Sequence, residues 1–429
     1  MLRFGTAAGA AAGGVLALGL VLGSAGPASA QTIGQQVRTD DIATLRQIDV
    51  PAAWARSKGS GVTVAVLDTG VRPDAPDLTG QVTAGPDYTA GADPPGYQPP
   101  HLHGTYIGSI IAGHGSGPGR AQGVIGVAPD AKILSVRVIL DDQEPGFYVY
   151  NLNADYDDAI ADGIRYAVAH GASVINMSLG STEATRSVRA ALAYAIAHNV
   201  VVVAAAGNDG TRGSSFTRYS YPASFTGVIS VAAVSASGKR AYFSDQNSSV
   251  VVSAPGVNVV GDGPGTSYLS GSGTSPASAF VAGVAALIRS KYPSLTPVQV
   301  MQAIVRSAQL RPAGGYSPRT GFGEVDAAAA LTAAGELAPA SPARPGGLAA
   351  SGRFGSATGP IVVVPRHHGL IAVLLIVSVA AFLAFVALAV LAVVVGRRRR
   401  KRPASPAPPP VAALPDPPPP AAPSQPASS

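Results

Sequence analysis

The chain has 429 residues, with 30 Lys and Arg, 24 Asp and Glu, seven His, no Cys and a formal net charge of +6. Six of the basic residues form one run, RRRRKR at 397–402; without it 24 basic residues face 24 acidic ones, so no basic nucleic-acid surface is implied. The length allows one large domain or two ordinary ones, and the lack of cysteine excludes a small disulfide-stapled module, leaving a fold held by its core.

Residues 1–30 read as a signal peptide. Arg3 supplies the positive start, an apolar stretch continues through Leu22, and Ala28-Ser29-Ala30 offers the small side chains of a cleavage site. Cleavage there would leave Gln31 first, followed by an N-terminal extension over 31–60.

From 61 to 337, apolar runs with strand character alternate with helix-like segments. The runs fall at 62–67, 133–139, 173–178, 200–205, 228–231 and 250–254, with amphipathic stretches such as 159–169 and 184–198 between them. Solidly apolar strands separated by helices predict a doubly wound α/β domain, a parallel sheet with helices on both faces. In such a domain the site lies beyond the carboxyl ends of the strands.

Residues 338–369 turn to Pro, Ala, Gly and Ser and read as a linker. Residues 370–395 are uncharged and almost wholly apolar. As a helix they would reach about 39 Å, enough to cross a hydrocarbon core of about 30 Å, so a single transmembrane helix is expected. The basic run follows at once and heads a Pro-rich tail over 396–429, placing the C-terminus in the cytoplasm and the large domain outside the cell membrane, a type I topology.

The first apolar run ends in Asp-Thr-Gly, VTVAVLDTGV at 62–71. Two chemistries use a carboxylate in such a place. An aspartic protease needs a second carboxylate to share a proton, and no second Asp-Thr-Gly or Asp-Ser-Gly appears. A nucleophilic triad instead needs a histidine as general base and a serine on an exposed turn.

Of the seven histidines, His170 and His198 close helical patterns, where a cationic side chain complements the helix end, and His367 and His368 abut the apolar span. His101, His103 and His114 remain. Only His103 opens a helix-like apolar segment, HGTYIGSIIAG, in which Gly104 lets backbone approach closely beside the ring. The serine candidate is Ser275 in SGSGTSPASAFVAGVAALI: Gly271 and Gly273 permit a tight loop, and Pro276 suits the opening of a long apolar helix. Taken alone, Ser275 reads equally well as a helix cap.

Together VAVLDTGV, HGTYIGSIIAG and SGSGTSPASAFVAG resemble the subtilisin family of serine peptidases, whose Asp, His and Ser occur in that chain order on a parallel α/β sheet; VINMSLG and VVVAAAGNDG, lying between them, match further family segments. The resemblance implies a serine endopeptidase with Ser275 as nucleophile, His103 as general base and acid, and Asp68 holding the histidine tautomer. It further implies that Asn208 and the Ser275 N–H stabilise the oxyanion, and that Ser178, Leu179 and Gly180 form the strand edge on which extended peptide binds. The layout of signal peptide, short acidic and aliphatic extension, protease domain, Pro-rich linker, membrane helix and basic tail is similar to the mycosins, membrane-anchored proteases of type VII secretion systems. The extension is too short for the folded inhibitory prodomain of many secreted subtilisins and is expected to pack on the domain. The chain departs from the mycosin pattern in lacking disulfides, and its APDL at 75–78 stands where the family has His-Pro-Asp-Leu.

The implied partners are polypeptide substrates, the cell membrane and the type VII secretion machinery. Two other roles keep the same features: a structural subunit of the secretion complex whose proteolysis is dispensable, or an independent degradative protease at the surface. No cofactor is required and no metal ligand is assigned. Structural calcium is common among subtilases, but the acidic cluster of Asp141, Asp142, Glu144, Asp155, Asp157, Asp158 and Asp162 fits no dedicated calcium loop and reads as a solvated edge.

Overall fold

The computed structural model describes residues 32–211, 216–338, 382, 383 and 387. The chain divides into two compact units, Met1–Arg344 and Pro345–Ser429. In the second, the described residues Phe382, Leu383 and Ala387 are helical and exposed. The rest of the expected membrane span at 370–395 lies outside the described residues, as do the signal peptide, the tail and the linker beyond Ala338. Among the described residues no helix is long and apolar enough to cross a membrane.

The first unit opens with α1 (Ile33–Gln47) and the short α2 (Val50–Ala53), then β1 (Thr63–Asp68), β2 (Val82–Asp87) and α3 (Leu102–Ala112). A hairpin of β3 (His114–Ser116) and β4 (Gln122–Ile125) leads to β5 (Lys132–Arg137), α4 (Phe147–Leu152), α5 (Ala159–Ala169), β6 (Val174–Met177) and α6 (Arg186–Ala197). After β7 (Val201–Ala205), β8 (Val228–Val234) and β9 (Val252–Pro255), a second hairpin of β10 (Val259–Asp262) and β11 (Tyr268–Gly271) precedes α7 (Thr274–Lys291), α8 (Pro297–Ser307) and α9 (Ala327–Leu337).

The seven strands β2-β5-β1-β6-β7-β8-β9 form one sheet in that order, every neighbouring pair parallel. All six predicted strands lie in it. They read as solid apolar runs because both faces are covered, yet the period of two survives in the packing. Val64 and Val66 of β1 join Val174, Val201, Val203 and Val231 in a core roofed by α3, α7, α8 and α9. Ala65 and Leu67 face the opposite way, onto the layer built by α5 and α6. Strand β1 lies between β5 and β6, so the chain works outward first to one side of it and then to the other. That reversal leaves a crevice at the carboxyl ends of β1 and β6, where Asp68 closes its strand.

Three elements were not predicted. Strand β2 reads VTAGPD and is largely solvent-facing, because it is the sheet's edge and pairs only with β5. The two hairpins are three- and four-residue strands outside the main sheet, too short to show a period. The extension packs on the domain, as expected. Arg38 on α1 donates to the carbonyls of Gln122 and Gly123 at 2.8 Å, the Asp41 carboxyl accepts from the Ile125 N–H at 2.7 Å, and Leu45 and Ile48 are fully buried in the core.

Candidate active site

The site starts from the ends of adjacent strands. β1 pairs with β6 in the register Val66↔Asn176, and continuing it by two residues sets Asp68 beside Ser178. Each of these anchors the first turn of a helix from the covering layer. Asp68 is fully buried; its Oδ1 accepts from His103 Nδ1–H at 2.7 Å and from the Thr69 N–H at 2.8 Å. Ser178 Oγ donates to the carbonyl of Ser275 at 3.0 Å and lies 2.9 Å from Ser278 Oγ, while Asn176 Nδ2 donates to Ser178 Oγ at 3.0 Å. The two helices so anchored, α3 and α7, pack on each other.

The pairing of His103 with Asp68 depends on two glycines. A Cβ on Gly104 would lie 2.1 Å from the carbonyl oxygen of Gly70, so only glycine lets the first turn of α3 rest on the backbone after Asp68. Gly70 itself has φ +94°, and a Cβ there would lie 2.4 Å from His101 Nδ1. The contact is completed by the Gly104 N–H donating to Thr69 Oγ1 at 3.1 Å and by His101 Nδ1–H donating to the Thr69 carbonyl at 2.6 Å. His101 therefore holds the turn, and burial pulls its pKa down.

Because Nδ1–H of His103 is committed to Asp68, the lone pair sits on Nε2. The ring keeps 29% of its side-chain surface open. Burial disfavours its charge, but the adjacent Asp68 carboxylate outweighs that and raises the pKa to about 8.

Ser275 is the second residue of α7, in the first turn, where backbone N–H groups have no intrahelical acceptor and the helix dipole favours negative charge. Its Oγ donates to the Ser178 carbonyl at 3.3 Å. Asn208 follows β7. Its Oδ1 accepts from both the N–H and the Oγ1 of Thr274, at 2.9 and 3.0 Å, which fixes the amide so that its NH₂ is turned away from α7's first N–H. Ser178, Leu179, Gly180, Asn208 and Ser275 all line one cavity of about 240 Å³. Every residue predicted for catalysis or substrate binding thus stands either in the Asp68–His103 pair or on this cavity.

The other histidines do different work. His114 is buried and bridges the carbonyls of Gly115 and Thr79 at 2.8 Å each. His170 and His198 donate Nδ1–H to the carbonyls of Tyr166 and Tyr194, four residues earlier at the ends of α5 and α6. The acidic cluster is not uniformly solvated. Glu144 is buried and, with Asp87 and Asp93, surrounds the guanidinium of Arg137, the two aspartates at 2.9 Å. Among the described residues no group of three His, Asp or Glu side chains is arranged to hold a metal ion.

Sequence reasoning missed the polar residues that position the site, Asn176, Thr274 and Ser278, and the buried acid Asp245 on the cavity wall. None stands in a motif of its own, although Thr274 and Ser278 flank the nucleophile candidate.

The pattern of the Subtilase family matches residues 59–325. Subtilisin E of Bacillus subtilis is 38% identical over 265 residues, 62% of this chain and 65% of its own length, so the match spans just under two thirds of that relative. Thermitase of Thermoactinomyces vulgaris is 39% identical over 246 residues, 57% of this chain and 81% of the relative. Among solved structures, MycP1 from Mycobacterium smegmatis superposes with a TM-score of 0.57 at 28% identity, covering 67% of this chain and 84% of that one. The MycP3 protease from the type VII (ESX-3) secretion system gives 0.55 at 31% identity, covering 67% and 87%. With the buried Asp68–His103 pair, a serine opening the long central helix and a family match across the whole sheet, the chain belongs to the subtilase family.

Proposed function

We propose that this chain is a serine endopeptidase, tethered to the outer face of the cell membrane and acting with a type VII secretion apparatus. The observation that carries the chemistry is the 2.7 Å bond from His103 Nδ1–H to Asp68, which leaves Nε2 as the base for a hydroxyl at the mouth of a polar cavity. A peptide lies along Ser178, Leu179 and Gly180 by backbone pairing. Ser275 Oγ gives its proton to His103 Nε2 and attacks the scissile carbonyl. The Asn208 amide and the Ser275 N–H receive the oxyanion, and His103 then protonates the departing amine. Water, deprotonated by the same imidazole, releases the acyl group.

The tether rests on the apolar span at 370–395 with its basic flank, and export rests on the signal-like first 30 residues. The association with secretion rests on the printed role of the MycP3 neighbour and on the shared order of segments. The test is Ser275→Ala in the full chain. Peptidase activity and labelling by a fluorophosphonate are expected to vanish, with kcat down about a millionfold, the loss that removing the nucleophile causes in subtilisin. Turnover near wild type would remove the assignment. Secretion that survives in this variant but fails on deletion would assign the scaffold role instead.

A further inference from the structure

The cavity beside Ser275 carries an acid that the mechanism does not use. Asp245 is 1% exposed and lines the cavity behind Gly207, where a Cβ would lie 2.2 Å from its Oδ2. Its Oδ1 accepts no hydrogen bond, and no ion pair to it is formed by any described residue. Two further charges border the same cavity, Asp209 and Arg218; both are exposed, mark the mouth, and largely offset one another. The floor therefore keeps a single buried carboxylate with an open acceptor.

The cavity's position fixes what enters it. Ser275 and Asn208, which would hold the attacked carbonyl, are among its lining residues, so the side chain it admits is that of the residue donating the acyl group. We propose that Asp245 selects substrates with lysine or arginine at that residue. A long, unbranched side chain can cross the cavity and bring a cation to the free Oδ1, while its methylenes lie along Leu179 and the Ala205 and Gly207 backbone. A neutral side chain leaves the buried acid unpaired or protonated. In the empty cavity, burial and the nearby Asp209 charge hold the Asp245 pKa up at about 7 against the weaker pull of Arg240, as expected of a carboxyl that has no partner until substrate arrives.

The inference rests on the endopeptidase reading, and the experiment separates the two. The full chain is assayed on a peptide series differing only at the acyl-donating residue: Lys, Arg, Leu, Phe, Ala and Glu. The Lys and Arg peptides are expected to exceed the Leu peptide in kcat/KM by roughly a hundredfold, because pairing a buried charge is worth that much discrimination. In Asp245→Asn the Lys-to-Leu ratio is expected to collapse toward one, with active molecules counted by fluorophosphonate titration. In the wild type the same ratio should rise through about pH 7 as Asp245 ionises; taking a ratio cancels the titration of His103. A wild-type preference for Leu, Phe or Ala overturns the proposal, as does a Lys preference that persists in titratable Asp245→Asn. If that variant does not fold, a ratio independent of pH between 5 and 9 overturns it. Absence of both hydrolysis and fluorophosphonate labelling overturns the endopeptidase reading itself.

Discussion

The two halves of the site are built on opposite plans. Around Asp68 and His103 the polar atoms that face the pair are mostly spent within the fold: Thr69, Gly104 and His101 exchange hydrogen bonds, and backbone packs on backbone at distances that only glycine permits. On the cavity side, α7 is held from beneath by Ser178 and Asn208, while the groups turned toward the opening, the Ser275 hydroxyl, the Asn208 NH₂ and Asp245 Oδ1, have little or nothing to bind. Donors that are fixed in place and unspent need no reorganisation when charge develops on a substrate. One half fixes a proton acceptor; the other waits for an acyl group.

The sharpest way to break that contrast is Asp68→Asn. The amide can occupy the same space, yet an NH₂ turned toward His103 Nδ1 would favour the wrong tautomer and remove the charge that supports the imidazolium. A loss in kcat of about ten thousandfold is expected with the fold retained, the size known for this change in a serine-protease triad. Near-normal kcat in the variant would show that the 2.7 Å contact is merely structural.

Asn208→Ala tests the open half and should cost less. It deletes a donor used only once negative charge appears on the substrate, so kcat should fall by about a hundred- to a thousandfold while KM stays near its wild-type value. The variant also frees the N–H of Thr274, but that group lies in a helix's first turn and can be reached by water, so a fall in melting temperature should be small. A rise in KM with kcat unchanged would mean that Asn208 binds ground-state peptide instead.

The sequence disclosed these halves unequally for the same reason they differ in structure. Asp68, His103 and Ser275 sit where a strand ends or a helix begins, beside glycines with one conformational purpose each, so local pattern marks them. The solid apolar strands likewise announced the covered parallel sheet, since each needs a layer on either face. Asp245 belongs to no such pattern. It reaches the cavity because its backbone N–H bonds the carbonyl of Gly207, a contact across 38 positions that no periodicity records. Glu144 is similar: in the sequence it is one acid among many, and only its three-dimensional place beside Arg137 turns it inward. Strand β2 escaped because an edge position relaxes the demand for apolar residues.

The mildest perturbation is a change of pH, and it reads the closed half directly. The free enzyme needs His103 neutral, and Asp68 holds its pKa at about 8 against an unfolded value near 6.5. At pH 7 only about one molecule in ten then carries a competent base, so kcat/KM for a neutral peptide should climb about tenfold from pH 7 to above pH 9, with its midpoint near 8. Stability must run the other way. A histidine whose pKa is raised by folding stabilises the native state fully below about 6.5 and loses that contribution as pH rises through about 8, at most about 2 kcal/mol here. Activity and melting temperature should therefore cross in one window, and Asp68→Asn should abolish both slopes by removing their common cause. A wild-type midpoint at or below 6.5 would mean that burial, not the carboxylate, governs the ring, and the Asp68–His103 half would lose its claim to be the preformed one.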